Sequence, residues 1–83
     1  LELTRSHRIT PYVVPDESAV AACSRFLDDH RVLVEPACGV SLSAVYENSP
    51  LLGDASTVLV VVCGGIGISA AKLRDMEQSV GTR

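Results

Sequence analysis

Three groups of residues in this chain are of the right type and spacing to do chemistry. The first is Cys63 in "TVLVVVCGGIGIS", a thiol at the end of an apolar run with Gly64 and Gly65 directly behind it. The second is Glu35, a carboxylate between the apolar triplet Val32-Leu33-Val34 and Pro36. The third is Gly65-Ile66-Gly67-Ile68-Ser69-Ala70, which satisfies G-x-G-x-x-A, the spacing that cradles a pyrophosphate at a helix N-terminus.

Each group also admits a plainer reading. A thiol ahead of a helix N-terminus is stabilised as the thiolate. At the end of an apolar strand, burial opposes ionisation, and cysteine then packs as a small hydrophobe. Glu35 at the start of a helix is a carboxylate that backbone N–H groups can satisfy. The dinucleotide fingerprint needs a further strand and an acidic residue about 20 positions on, and the sequence reaches Arg83 without either. Cys23 and Cys38 read as packing residues, His7 and His30 as exposed loop or strand-end residues, and Arg5 and Arg8 as solvated.

The elements that must position these residues alternate in type. His7 to Val14 reads as a strand, with Pro11 confining it to an edge or a bend. "PDES" starts a helix with Asp16 as N-cap, and Ala19, Val20, Cys23, Phe26 and Leu27 recur at helical spacing. "RVLVEP" reads as a short buried strand stopped by Pro36. From Ala37 a helix rich in small residues follows, which permits close approach of a backbone or a ligand. "ENSPLLGD" is a loop. Thr57 to Val62 is continuous, β-branched and apolar, the pattern of a strand covered on both faces. A last helix is capped by Ser69, stapled by Ile68 and Leu73, striped by Leu73, Met76 and Val80, and stopped by Gly81. The predicted order is βαβαβα, an α/β segment of a larger, mostly parallel sheet, because a strand such as Val58 to Val62 asks for neighbours on both edges.

Composition narrows the function. The chain has 83 residues, of which 47% are hydrophobic and 20% charged, with a net charge of −3. That balance offers no basic patch for nucleic acid. Val58 to Cys63, the longest apolar run, is far short of the ~20 residues that cross a bilayer. Three widely spaced cysteines suit neither a disulfide scaffold nor a C-x-x-C site, and with two histidines no metal site is expected. A reducing, cytoplasmic setting is the expectation. The chain opens on Leu1 rather than Met, so it is expected to be a fragment or a processed product.

Two stretches carry a resemblance. "LVEPACGVSLSAVY" and "VLVVVCGG", in that order, resemble the C-terminal part of L-serine dehydratases and L-threonine deaminases, members of the fold-type-II pyridoxal-phosphate enzymes. The passage "ESAVAACSRFLDDHRVLVEPACG" and the "CGG…IS…LR" ending resemble the same family, so the resemblance runs from about Leu3 to Gly81. It implies that residues 1–83 are a partial C-terminal portion of a lyase catalytic domain. The implied cofactor is pyridoxal 5′-phosphate, with Cys63 facing the pyridine nitrogen, Gly64 and Gly65 leaving room for the ring, and Glu35 lying toward the pocket. The implied reaction is β-elimination of L-serine, or of L-threonine, with L-serine giving pyruvate and ammonia. The implied partners are the remainder of the lyase chain or a complementary chain, with a homodimer in the complete enzyme.

The sequence also departs from that family. The cofactor-bonding lysine, which lies in a Ser-x-Lys context, is missing; the single lysine, Lys72, falls on the polar side of the last helix. The glycine-rich phosphate loop and the monovalent-cation site are missing too. The stretch Tyr46 to Thr57 is shorter than the family's, and Ile66 and Gly67 stand where polar residues are usual. The chain alone is therefore expected to contribute a cofactor wall and to be inactive by itself. The alternative is an inactive truncated relative acting as a structural or interaction module.

Overall fold

A computed structural model describes His7 and residues 9–81. Three helices carry it: α1 (Asp16–His30), α2 (Pro36–Tyr46) and α3 (Ala70–Gly81), with a single 3₁₀ turn at Pro50–Leu52. Helix α1 lies in the middle and packs against both α2 and α3.

Helix α1 starts one residue earlier than its sequence suggests. Pro15 is the N-cap, with φ −62° and ψ 152°, and its carbonyl accepts the N–H groups of Ser18 (3.1 Å) and Ala19 (3.2 Å). Asp16, expected as the cap, is instead the first helical residue, where with Glu17 it complements the positive end of the helix dipole. The helix ends at Arg31, whose left-handed backbone (φ 58°) turns its N–H onto the Leu27 carbonyl at 2.8 Å. Helix α2 opens on Pro36, whose fixed φ and missing N–H suit a first helical position.

The small residues of α2 serve a backbone contact. Gly39 lies so close to α1 that a Cβ there would overlap the Ala19 carbonyl oxygen and come within 2.7 Å of Cys23 Sγ. Around this contact Val20, Ala22 and Cys23 of α1, Val34 just ahead of α2, Cys38 and Leu42 of α2, and Leu73 of α3 form the buried core. Phe26, Leu27, Leu33, Tyr46, Val60, Ile68, Met76 and Val80 pack partly buried against it. At the far end of α1, Arg25 stacks its guanidinium 4.3 Å from the Tyr46 ring centroid, and Tyr46 donates its hydroxyl to Asp29 at 3.3 Å.

Helix α3 follows its sequence signals closely. Ser69 Oγ accepts the Lys72 N–H at 3.1 Å, and the Ser69 carbonyl accepts the Leu73 N–H at 3.0 Å. Leu73 is buried, and Ile68, Met76 and Val80 pack beside it. The helix includes Gly81 rather than stopping before it.

The βαβαβα sheet is not formed. Among the described residues there is no strand. The expected first strand, His7 to Val14, falls partly outside the described residues, and its residues 9–14 are irregular. The segments 32–35 and 57–65 come together, but a single backbone hydrogen bond joins them, from Glu35 N–H to the Gly64 carbonyl at 3.1 Å. A sheet needs a repeating ladder of such bonds. Two features interrupt one here: Gly64 turns the backbone to φ 123°, and the Cys63 N–H is taken by the Cys38 sulfur instead of a carbonyl. Nor is the 57–62 run buried on both faces, since Leu59 is 90% exposed and Val61 71%. Of the apolar triplet, Val34 is fully buried while Val32 stands open.

Candidate functional site

The loop from Cys63 to Ser69 joins the apolar segment to α3, and Glu35 meets it from the start of α2. Cys63 is exposed and its thiol is free. Its backbone N–H donates to Cys38 Sγ at 3.3 Å. The next carbonyl, of Gly64, accepts the Glu35 N–H at 3.1 Å and the Cys38 thiol at 3.9 Å. The Cys63 N–H and the Gly64 carbonyl are thus tied to the start of α2.

The glycines here are needed for two different reasons. Gly64 has the positive φ that L side chains rarely adopt, and nothing lies within 4 Å of where its Cβ would be. Gly65 is packed backbone to backbone, and a Cβ there would overlap the Leu33 carbonyl oxygen. Beyond them, Gly67 faces the Glu35 carboxylate, with Oε1 2.5 Å from its would-be Cβ.

Glu35 is half-buried. It occupies the N-cap position of α2, but its carboxylate makes no capping hydrogen bond there, so it does not satisfy the helix's first N–H groups as expected. The capping of the turn is done by its backbone: the Glu35 carbonyl accepts Cys38 N–H (2.8 Å), Gly39 N–H (3.2 Å) and the Cys23 thiol (3.4 Å). The carboxylate instead points to the Gly67 side of the loop.

The structure therefore brings Cys63, Gly64, Gly65 and Glu35 to one junction. It also adds two residues that sequence reading assigned to packing alone. Cys23 and Cys38 are buried, as expected, yet each thiol also bonds a carbonyl of the junction. No sequence signal marks that role beyond the presence of a cysteine in "AACSR" and in "EPACG". Burial raises the Cys23 thiol above its ordinary value of 9.0, so it acts as a neutral donor. The remaining candidates stay apart: Lys72 is exposed on α3, and exposed His30 packs its ring on Phe26 at 4.6 Å between centroids. Ser69 itself caps α3, occupying an N–H that a phosphate at this helix end would use. A cleft of about 280 Å³ lined by Val20, Pro36, Met76 and Val80, among others, does not reach Cys63. Among the described residues no three His, Cys, Asp or Glu side chains converge as a metal site, and no helix is long and apolar enough to cross a membrane.

An exposed cysteine thus stands on a glycine-bounded turn, beside open space and tied to the start of α2. The family described as pyridoxal-phosphate dependent enzyme matches residues 1–64, ending on this turn. The chain belongs to that family. It is 43% identical to the L-serine dehydratase/L-threonine deaminase of Bos taurus over 89 aligned residues, and 44% identical to that of Homo sapiens, each comparison covering 98% of this chain and 27% of the relative. The L-serine dehydratase of Dictyostelium discoideum is 43% identical, over 95% of this chain and 23% of its own length. The chain thus spans about a quarter of the length of the curated relatives it matches. The cofactor expected from the sequence, pyridoxal phosphate, is the one on which this family depends.

Proposed function

We propose that this chain forms one wall of the cofactor pocket in a pyridoxal-phosphate-dependent L-serine/L-threonine ammonia-lyase, with Cys63 facing the cofactor's pyridine nitrogen. The observation that carries this is the exposed Cys63 thiol beside the open space at Gly64, on a loop anchored at Glu35. The residues present fit such a group: a ring can approach a glycine with no atom within 4 Å of its Cβ position. When bound, the cofactor supplies the electron sink for β-elimination, which turns L-serine into pyruvate and ammonia.

The chain's own residues then act on the nitrogen edge. Cys63 in its neutral form is a weak donor, so it does not enforce a protonated ring as an aspartate would. Keeping the sink weak favours prompt loss of the β-hydroxyl over racemisation or transamination. Gly64 and Gly65 keep that edge free of side chains. Glu35, half-buried against Gly67, places negative charge behind the loop. The lysine that bonds the cofactor comes, on this reading, from the remainder of a lyase chain or from a complementary chain, and the complete enzyme is a homodimer. Three free thiols suit a reducing cytoplasmic setting.

The test is Cys63→Asp in the complete lyase, read as pyruvate formed against α-proton exchange with solvent deuterium, together with thermal stability. The expected result is a shift of that ratio toward exchange in a protein that still folds. A large loss of stability with an unchanged ratio overturns the assignment. The alternative, a non-catalytic module, draws on one observation: the chain's single lysine is exposed on α3. A Ser-x-Lys and a glycine-rich phosphate loop in the parent gene separate the first reading from the second, and borohydride reduction in the presence of pyridoxal phosphate tests what the two share. Specific stoichiometric labelling of Lys72 would contradict both.

A further inference from the structure

We infer that Cys38 is a positioning residue for Cys63: its buried thiol clamps the backbone on both sides of that residue and so sets where the Cys63 side chain stands. Its bearing on catalysis rests on the reading of Cys63 given above; the clamp itself does not.

The geometry is reciprocal. A thiol has one weak donor and weak acceptor capacity. Cys38 uses both on adjacent residues, accepting the Cys63 N–H at 3.3 Å and donating to the Gly64 carbonyl at 3.9 Å. That carbonyl is also held by the Glu35 N–H at 3.1 Å, so three hydrogen bonds fix two consecutive residues. Cys38 is only 4% exposed and sits in the first turn of α2, whose backbone is held against α1 through Gly39. The clamp is therefore mounted beside the close backbone contact of α1 and α2, while the residue it holds is exposed. Without it, the Cys63 N–H would have no partner in the structure, and Gly64, with its wide conformational range, would leave the thiol free to swing. The other buried thiol does a different task. Cys23 bonds the Glu35 carbonyl at 3.4 Å and makes no hydrogen bond to Cys63, so the two cysteines can be told apart by experiment.

The experiment is amide hydrogen exchange at Cys63 in the intact protein without cofactor, comparing Cys38→Ala, Cys38→Ser and Cys23→Ala. The expected result is at least tenfold faster exchange at the Cys63 amide in Cys38→Ala, recovered by Cys38→Ser, whose hydroxyl can again accept that N–H. Cys23→Ala should leave it within about twofold. Unchanged exchange in Cys38→Ala, or equal acceleration in Cys23→Ala, overturns the clamp and returns Cys38 to a packing role. If Cys38→Ala does not fold, Cys38→Val, which fills the site but offers no hydrogen-bonding atom, carries the test: tenfold faster exchange at the Cys63 amide supports the clamp, and unchanged exchange overturns it. Because no cofactor is present, this outcome is independent of the Cys63→Asp ratio. The clamp can fail while the pyridine contact stands, and the reverse.

Discussion

Helices α1 and α2 touch backbone to backbone through Gly39 and Ala19, while residues 57–62, more apolar than either helix, leave Leu59 and Val61 open to solvent. The difference is not hydrophobicity. A helix satisfies its backbone hydrogen bonds within its own segment, so it forms wherever one face finds a partner. A β-branched run can satisfy its backbone only on another strand. Within the described residues the run meets a single backbone bond, at Gly64, and a cysteine sulfur. The more apolar region is thus the unpacked one.

The contrast can be broken from the packed side first. Gly39→Ala should destabilise most, by about 3 kcal/mol, since the new methyl would overlap the Ala19 carbonyl and neither helix backbone can yield cheaply. Thermal or urea unfolding reads it, and a change below about 0.5 kcal/mol would mean that the helices are not in contact there. Next comes Gly65→Ala, which should cost about 2 kcal/mol by pushing the loop off the Leu33 carbonyl. Its signature is loss of amide protection at Glu35, with α1 unchanged. Ser69→Ala removes the hydroxyl that caps α3 and should cost about 1 kcal/mol, visible as fraying of the amides of Ala71 and Lys72. The smallest effect on stability belongs to the unpacked side. Leu59→Lys with Val61→Lys should change it by less than about 0.5 kcal/mol, because these side chains bury little. The same pair should suppress self-association in sedimentation, which the exposed apolar patch promotes. A large loss of monomer stability would show instead that the segment is part of the core.

What the sequence made legible divides along the same line. Helix α3 could be read nearly residue by residue, because its cap, staple and stripe are local signals lying within one segment. The buried face of α1 was legible for the same reason, although its start was misplaced: a proline with extended backbone supplied the first acceptor in place of Asp16. The strands were misread because β-branched composition reports a preference for extended backbone, not the presence of a neighbour to pair with. Of the candidate site, Cys63, Gly64, Gly65 and Glu35 were legible and do meet. The Cys38 link was not, because it joins residues 25 apart through a sulfur that pattern reading treats as a hydrophobe.

That 25-residue link also sets an order in time. With the helices formed, closing the stretch 47–62 costs about 2.5 kcal/mol of chain entropy, against about 1.4 kcal/mol for the connection 31–35 between α1 and α2. The helical pair is therefore the early event of folding and the Cys63 turn a late one. In pulsed amide exchange, α1 and α2 should gain protection before Cys63 does. A chain leaving the ribosome would pair α1 with α2 before its Cys63 turn closes, and a ligand that grips Cys63 would act on a later step of folding than that pairing.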